Sequence, residues 1–381
     1  MPEGKRSFVI KSTLTTTMKT MKNSRQRGVL ALLGWAMAGA FLTLGVCSCG
    51  GGKSSEENPF AFAQVESLTC DSIPIAEILH PSVWTVVGDK AVLASRQNDS
   101  LFWVYRLPEF EFLYCFGLKG EGPYELTGIS LMRDASQQGR FCVGDQEKEL
   151  SYRLDETEAK DVRRIPLGGV SNPMMRVGDS IALGQRMLFS MEEVEVRYEY
   201  YTVNTRSGQG VDTVRALLSK ASLQLSERGM AVANLHNIPK VALLGEGFVL
   251  AYPDVRSLYF YRVDQAGKID LEKVVGEQLT REQVEALPQE RFETGYGLFQ
   301  AQGTDERIYL LSYRRGDHSG EGDKAAFTYY VEVYDKRGRP IKTFELDRAV
   351  TSMLVDEQRG RFYFYDARYD FEWVYTCAFD L

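Results

Sequence analysis

The chain has 381 residues, with 52 acidic and 45 basic side chains and a formal net charge of −7. At 44% hydrophobic, 12% aromatic and 25% charged its composition is that of a folded protein, which excludes the disordered and collagen-like classes, and 20 Tyr with 20 Phe lean towards strands. An acidic chain offers no electrostatic basis for binding nucleic acid, which selects for basic surfaces.

Lys19, Lys22, Arg25 and Arg27 precede a run of apolar and small residues from Gly28 to Val46 that includes one threonine. Charge followed by an apolar stretch is the pattern of a signal peptide; a run of about 19 residues also approaches the length of a membrane-spanning helix. The segment Thr43-Leu44-Gly45-Val46-Cys47-Ser48-Cys49-Gly50 resembles a bacterial lipobox, where cleavage leaves a cysteine that is then acylated. The small Ser48 before it favours Cys49 as the lipidated residue over Cys47, which follows branched Val46. Met18 or Met21 would serve equally as a start. Residues 1–49 are thus expected to be a signal peptide with its lipobox, and two or three acyl chains on one cysteine suffice for stable anchoring. Residues 50–62 open with GGGKSSEENPF, dominated by glycine, serine and charge, and read as a flexible tether. Within it, Glu56-Glu57 looks like the export signal of surface lipoproteins of Bacteroidetes; a plain solvated linker is the alternative.

From residue 63 to 381 the pattern repeats. SVWTVV, KAVLAS, LFWVYRL and EFLYCFG form a first set of four strands from Ser82 to Gly117, separated by a Gly88-Asp89 turn, an Asn98-Asp99-Ser100 turn and Pro108-Glu109. Each run is alternating or continuously apolar over four to seven positions and bounded by turn formers, which is the strand signal. The plan recurs as GISLM, RFCVGDQ, ELSYRLD and KDVRRIP; then MMRVGD, SIALGQR, VRYEYYTVN and VDTVRAL; then PKVALLGEG, FVLAYP, SLYFYRVD and KIDLEKVV; and then YGLFQAQGTDE, RIYLLSYRR, TYYVEVYD and RPIKTFELD. The sixth set, VTSMLVDEQRG, RFYFYDAR and EWVYTCAFD, has only three strands before the chain ends. Units of about 50 residues with four strands each are the sequence sign of a propeller. The expectation is an all-β, six-bladed β-propeller of four-stranded antiparallel blades, closed by an N-terminal strand at Ala63 to Cys70. Seven blades or an eight-stranded sandwich are the alternatives.

Lipidation of Cys49 and loss of Cys47 leave Cys70, Cys115, Cys142 and Cys377. If the closing strand lies beside Glu372 to Asp380, Cys70 and Cys377 fall on neighbouring strands, within reach of a disulfide. None of the four has metal-ligand spacing, and only His80, His236 and His318 could assist, so neither metal nor cofactor is expected.

In a propeller the loops between blades, and those joining the second and third strands of a blade, emerge on one face. The long connections here, Leu118 to Thr127, Met187 to Glu195, Ala216 to Pro239, Gln278 to Gly295 and Arg315 to Ala326, all belong to that face, and loops on a rigid scaffold are where binding residues concentrate. Its candidate ligand-binding residues are Lys119, Glu121, Tyr124, Glu125, His236, Asn237, Arg291, Tyr296, Arg315 and His318. Thr280-Arg281-Glu282-Gln283 has the form of a capping box with Pro288 as a stop, and Ala216 to Arg228 has leucines at helical spacing; two short helices over the channel mouth are expected.

The loop Gly117-Leu118-Lys119-Gly120-Glu121-Gly122-Pro123-Tyr124-Glu125 resembles the G-x-G-P-x-E linker of the six-bladed, TolB-like β-propeller lipoproteins of Bacteroidetes. The organisation of the mature chain is similar throughout, while close matching is confined to this loop and the lipobox; bulky Tyr124 departs from the small residue often found there. The resemblance implies a secreted, lipid-anchored propeller and no particular activity.

No G-x-S-x-G elbow, H-E-x-x-H or Walker A motif occurs, and no catalytic residue is assigned. The expected function is that of an envelope lipoprotein of the outer membrane, periplasmic or exposed at the cell surface. It would bind a polar ligand or a protein partner on its long-loop face without catalysis. The alternatives are a glycan-active hydrolase or lyase working at the channel mouth, and a structural subunit of an envelope complex.

Overall fold

The strand signals are realised as antiparallel units of three or four strands, and the reason lies in how their side chains are divided. The computed structural model describes residues 60–78, 80–134, 140–145, 148–170, 172–190, 195–217, 219–225, 231–235, 237–288, 295–315, 327–368 and 371–381. The chain enters through β1 (Val65–Leu68) and β2 (Asp71–Pro74). Blade one is β3 (Val83–Val87), β4 (Lys90–Ala94), β5 (Phe102–Arg106) and β6 (Glu111–Phe116), followed by the short pair β7 (Leu118–Lys119) and β8 (Glu125–Leu126). Blade two is β9 (Ser130–Asp134), β10 (Arg140–Gly144), β11 (Lys148–Leu154) and β12 (Ala159–Pro166). Blade three is β13 (Pro173–Val177), β14 (Ile181–Ser190), β15 (Glu195–Asn204) and β16 (Gly210–Arg215), and a hairpin of β17 (Ser219–Leu225) and β18 (Ala231–Leu235) follows. Blade four is β19 (Lys240–Leu244), β20 (Gly247–Tyr252), β21 (Ser257–Val263) and β22 (Ile269–Val275), with α1 (Arg281–Ala286) after it. Blade five is β23 (Tyr296–Gly303), β24 (Arg307–Arg315), β25 (Phe327–Asp335) and β26 (Pro340–Leu346), and blade six is β27 (Ser352–Asp356), β28 (Arg361–Tyr365) and β29 (Trp373–Ala378).

Side chains alternate sides along a strand, and in the middle strands both sides meet a neighbouring blade. In β4, Ala91 and Leu93 pack with blade six while Val92 and Ala94 pack with blade two. In β20, Phe248, Leu250 and Tyr252 face blade three and Val249 and Ala251 face blade five. In β28, Phe362 and Phe364 face blade five and Tyr363 and Tyr365 face blade one. Strands buried on both sides read as continuous apolar runs. Six hydrophobic clusters result among the described residues, one for each junction between consecutive blades, and the last joins blade six to blade one. That succession closes the ring at six blades.

The closing strand differs from expectation. Ala63 to Cys70 does not complete blade six: Val65–Leu68 runs parallel to β26 as a fifth strand on blade five, with Val65 opposite Thr343 and Leu68 opposite Leu346. Blade six is completed instead by Asp71–Pro74, antiparallel to β29, with Asp71 opposite Thr376 and Pro74 opposite Trp373. The turn between the two strands is held by Arg348, whose guanidinium donates to the Cys70 carbonyl oxygen (2.6 Å) and to Ser72 Oγ (3.2 Å), while Asp347 accepts from the Cys70 N–H (3.3 Å). Cys70 and Cys377 form a disulfide with their Cα atoms 4.6 Å apart, and Cys115 and Cys142 are free thiols.

Two further expectations fail. Residues 219–225 of the segment expected as a helix form a strand instead, β17, which pairs with β18 and extends β15 through Glu195 opposite Lys220. Much of the loop expected from Met187 to Glu195 is likewise strand, because β14 and β15 remain paired out to Ser190 and Glu195. Both errors have one cause: blade three continues beyond the blade body, and pairing with that extension outweighs the helical leucine spacing.

The inner strands are joined to one another as well as to their blades. Beta-strands β9 and β13 pair in parallel, with Met175 opposite Arg133. Gln300 and Gln302 on β23 extend their amides to the free edge of β27: Gln300 accepts from Met353 N–H (2.8 Å) and donates to Met353 O (2.8 Å), and Gln302 does the same with Val355 (3.1 and 3.5 Å). Glutamine thus satisfies an edge that no strand covers. Between β19 and β23, a Cβ at Gly303 would stand 1.8 Å from the Leu243 carbonyl oxygen, so glycine is required for the approach. Arg133, on blade two, reaches past blade three to the Leu243 carbonyl (3.5 Å) and pairs with Asp305 in the first turn of blade five. Burial lowers its pKa below the ordinary arginine value.

Candidate functional site

The topology places the connections between blades, and the second-to-third-strand turns, on one face, and Lys119, Glu121, Tyr124, Glu125, Asn237, Tyr296 and Arg315 are on it. Cys49, His236, Arg291 and His318 lie outside the described residues.

The loop between blades one and two is built around Glu125. Its carboxylate accepts from the Gly122 N–H (2.9 Å), while the Glu125 N–H donates to Gly122 O (3.2 Å) and Gly120 N–H to Leu126 O (3.2 Å). A Cβ at Gly120 would lie 2.0 Å from Glu125 Oε2, and Gly120 has φ +147°. The G-x-G-P-x-E spacing therefore makes room for the glutamate to fold back on its own turn. Lys148, a buried lysine of blade two, ties this turn down by donating to Gly122 O (2.8 Å), with Asp145 at 3.8 Å as counter-ion. Lys119 donates to the Arg96 carbonyl (2.5 Å), and Leu118 and Lys119 pair in parallel with Glu125 and Leu126. Glu121 and Tyr124 are left pointing outward, Tyr124 at 58% exposure.

On the side of blades four and five, Asn237 adopts φ +57° and its N–H donates to the Asp254 carboxylate; Asn is among the few residues that visit this region readily. The expected capping box is present: Thr280 Oγ1 accepts from Gln283 N–H (3.3 Å) and Gln283 Oε1 accepts from Thr280 N–H (2.7 Å), which starts α1 and seats Val284 in the core of blades three and four. Tyr296 opens β23 opposite Arg314, and the Arg315 N–H donates to Gly295 O (2.7 Å). Tyr296 does not present its hydroxyl to a ligand. It donates to Glu332 Oε2 (3.3 Å), and burial, with the Glu332 charge beside it, holds the phenol well above its ordinary pKa.

Glu332 was missed by the sequence reading. It is 0% exposed and accepts from Tyr296, Tyr334 (2.9 Å), Ser312 (3.2 Å) and Arg314 (2.9 Å). The signal was an acid in the middle of the apolar run YYVEVY. Lys240 was missed as well: it stands at the start of β19, and burial lowers its pKa. The structure thus divides the candidates: Glu125 is engaged within the loop between blades one and two, Lys119 bonds to the neighbouring turn of blade one, Tyr296 is engaged within blade five, and Arg315 is held there by its backbone N–H. Among the described residues no cluster of His, Cys, Asp and Glu could hold a metal ion.

No known family's sequence profile matches the chain, and no curated protein matches it. Solved structures similar to it are propellers. The β-propeller domain of Cps50 (Swd1) from Myceliophteria thermophila aligns with TM-score 0.40 at 9% identity, covering 80% of this chain and 99% of that one. The β-propeller domain of the trilobed protease from Pyrococcus furiosus aligns at 0.31 and 12%, covering 76% and 78%. The WD40 domain of SCAP from fission yeast aligns at 0.31 and 8%, covering 82% and 94%.

Proposed function

We propose that this protein is a lipid-anchored envelope β-propeller, akin to the TolB-like lipoproteins of Bacteroidetes, that binds a polar ligand or protein partner on its long-loop face without catalysing a reaction on it. The observation that carries the reading is Arg133. By reaching Leu243 and Asp305 it obstructs the centre of the ring near the first-to-second-strand turns, so a ligand is admitted from the long-loop side. That side also carries Glu121, exposed Tyr124 and Arg315. A rigid ring with short turns on one side and long insertions on the other is suited to recognition, because the loops vary while the scaffold holds them.

The test has two arms. Cells expressing the chain are labelled with a palmitate analogue: wild type partitions with the outer membrane and carries the label, and Cys49→Ala loses both. The purified protein is then presented to an array of glycans and envelope proteins, where Tyr124→Ala and Arg315→Ala lower the signal at least tenfold while melting normally. An unlabelled wild type sinks the anchoring, and signals indifferent to both loop variants sink the face.

A further inference from the structure

A cavity of about 430 Å³ lies away from the ring centre, between the segment preceding β1 and the outer strands of blade five. Phe60 and Phe62 form one wall, and Arg314 of β24, Tyr330 of β25, and Thr343 and Glu345 of β26 form the other. The register puts these polar groups on one side of the blade, with Tyr330 opposite Glu345 and Glu332 opposite Thr343.

The polar groups here are underused. Thr343 is 2% exposed and its hydroxyl has no hydrogen-bond partner among the described residues, an arrangement a fold retains only at a cost. Arg314 donates through Nη2 to Glu332 and lies 4.7 Å over the Tyr330 ring, which leaves most of its five N–H donors uncommitted. The Glu345 carboxylate lines the cavity, and no hydrogen bond or ion pair engages it among the described residues. The charges nearby balance: Arg314 and Arg256, the latter stacked on Phe60 (5.0 Å) and Tyr296 (4.8 Å), stand against Glu332 and Glu345. These four described charges favour neither sign of ion. The site offers a fork of donors, an acceptor and a hydroxyl that can be either, beside aromatic rings. A polyhydroxylated ring needs that combination, since its hydroxyls donate and accept in pairs while its C–H face lies against an aromatic. The volume falls within the range of small-ligand pockets.

We propose that this cavity is a binding site for a neutral saccharide unit. The inference goes beyond the long-loop reading and does not depend on it. The test is calorimetric titration of the purified full chain with glucose, galactose and N-acetylglucosamine, and with glucuronic acid and glucosamine as charged controls. At least one neutral sugar binds saturably and more tightly than either charged one. Glu345→Ala and Thr343→Val each weaken it about tenfold, and Thr343→Val raises the melting temperature of the unliganded protein because it removes an unpaired buried hydroxyl. Tyr124→Ala leaves the sugar affinity unchanged, so failure of the long-loop face and failure of this cavity are separable. The assignment is overturned if no neutral sugar saturates the protein, if glucuronic acid or glucosamine binds more tightly, or if both cavity variants bind like wild type.

Discussion

At the scale of the residue, the most informative group is Glu125. The same carboxylate that reads as a ligand contact in the sequence serves its own turn, where it fills the space that Gly120 and Gly122 leave open. Gly120→Ala would place a methyl against Glu125 at a φ that L-residues rarely adopt, and we expect a cost of about 1–2 kcal/mol. Part of that cost is the clash, so adding Glu125→Ala should recover some of it. A double-mutant cycle by urea denaturation checks this, and strict additivity would show that the two positions do not meet. Lys240 gives a second expectation. Burial lowers its folded pKa below the unfolded value near 10.5, so between these two pKa values the unfolded chain binds more protons and stability rises with pH. Lys240→Met should remove that rise, as read from melting temperatures between pH 8 and 10.5.

At the scale of the element, legibility tracks how local the cause is. The blade strands were readable because each carries its own apolar run and turn formers, and the capping box at Thr280 because both partners lie within four residues. The closing strand was misplaced by several residues because nothing in AQVESLTCDSIP says which part meets a partner some 300 positions away. Ser219–Leu225 was misread because its leucines fit a helix until the protruding end of β15 is present to pair with it. The site was less legible still. Glu332 and Thr343 matter through what surrounds them in three dimensions, and spacing in one dimension carries no trace of that. The glutamine ladder of β23 is testable at this scale: Gln300→Leu leaves the Met353 N–H and C=O unpaired, at a cost of about 1–3 kcal/mol for each buried group. Gln300→Glu should be as damaging, since it keeps the acceptor for the Met353 N–H but sets a charged carboxylate oxygen against the Met353 carbonyl where the donor had been. Chemical denaturation of both variants measures this, and a harmless leucine would show the edge to be hydrated instead.

At the scale of the whole molecule, the ring is stabilised at its seam and by its tyrosines. Cys377→Ser, which opens the disulfide across β2 and β29, should lower stability by about 2–5 kcal/mol, and reducing agent should do the same to wild type and nothing to the variant. Burial raises the phenol pKa of Tyr152, Tyr261 and Tyr363 to about 12, and holds those of Tyr296 and Tyr334 well above their ordinary value. The unfolded values lie near 10, so these groups contribute stability that is intact below pH 10 and is lost as pH rises through the folded values. Absorbance of tyrosinate and circular dichroism should therefore change together above about pH 10. Ionisation of these phenols without loss of structure would contradict their burial.

The seam also sets an order of events during manufacture of the protein. β2 leaves the ribosome well before its partner β29, since Cys70 and Cys377 are 307 positions apart. At ordinary synthesis rates the early strand waits roughly 15–60 s for its mate. Until then the growing chain can stack its blades in sequence but cannot lock them, so a chaperone meets the nascent protein as an open series of blades until β29 emerges.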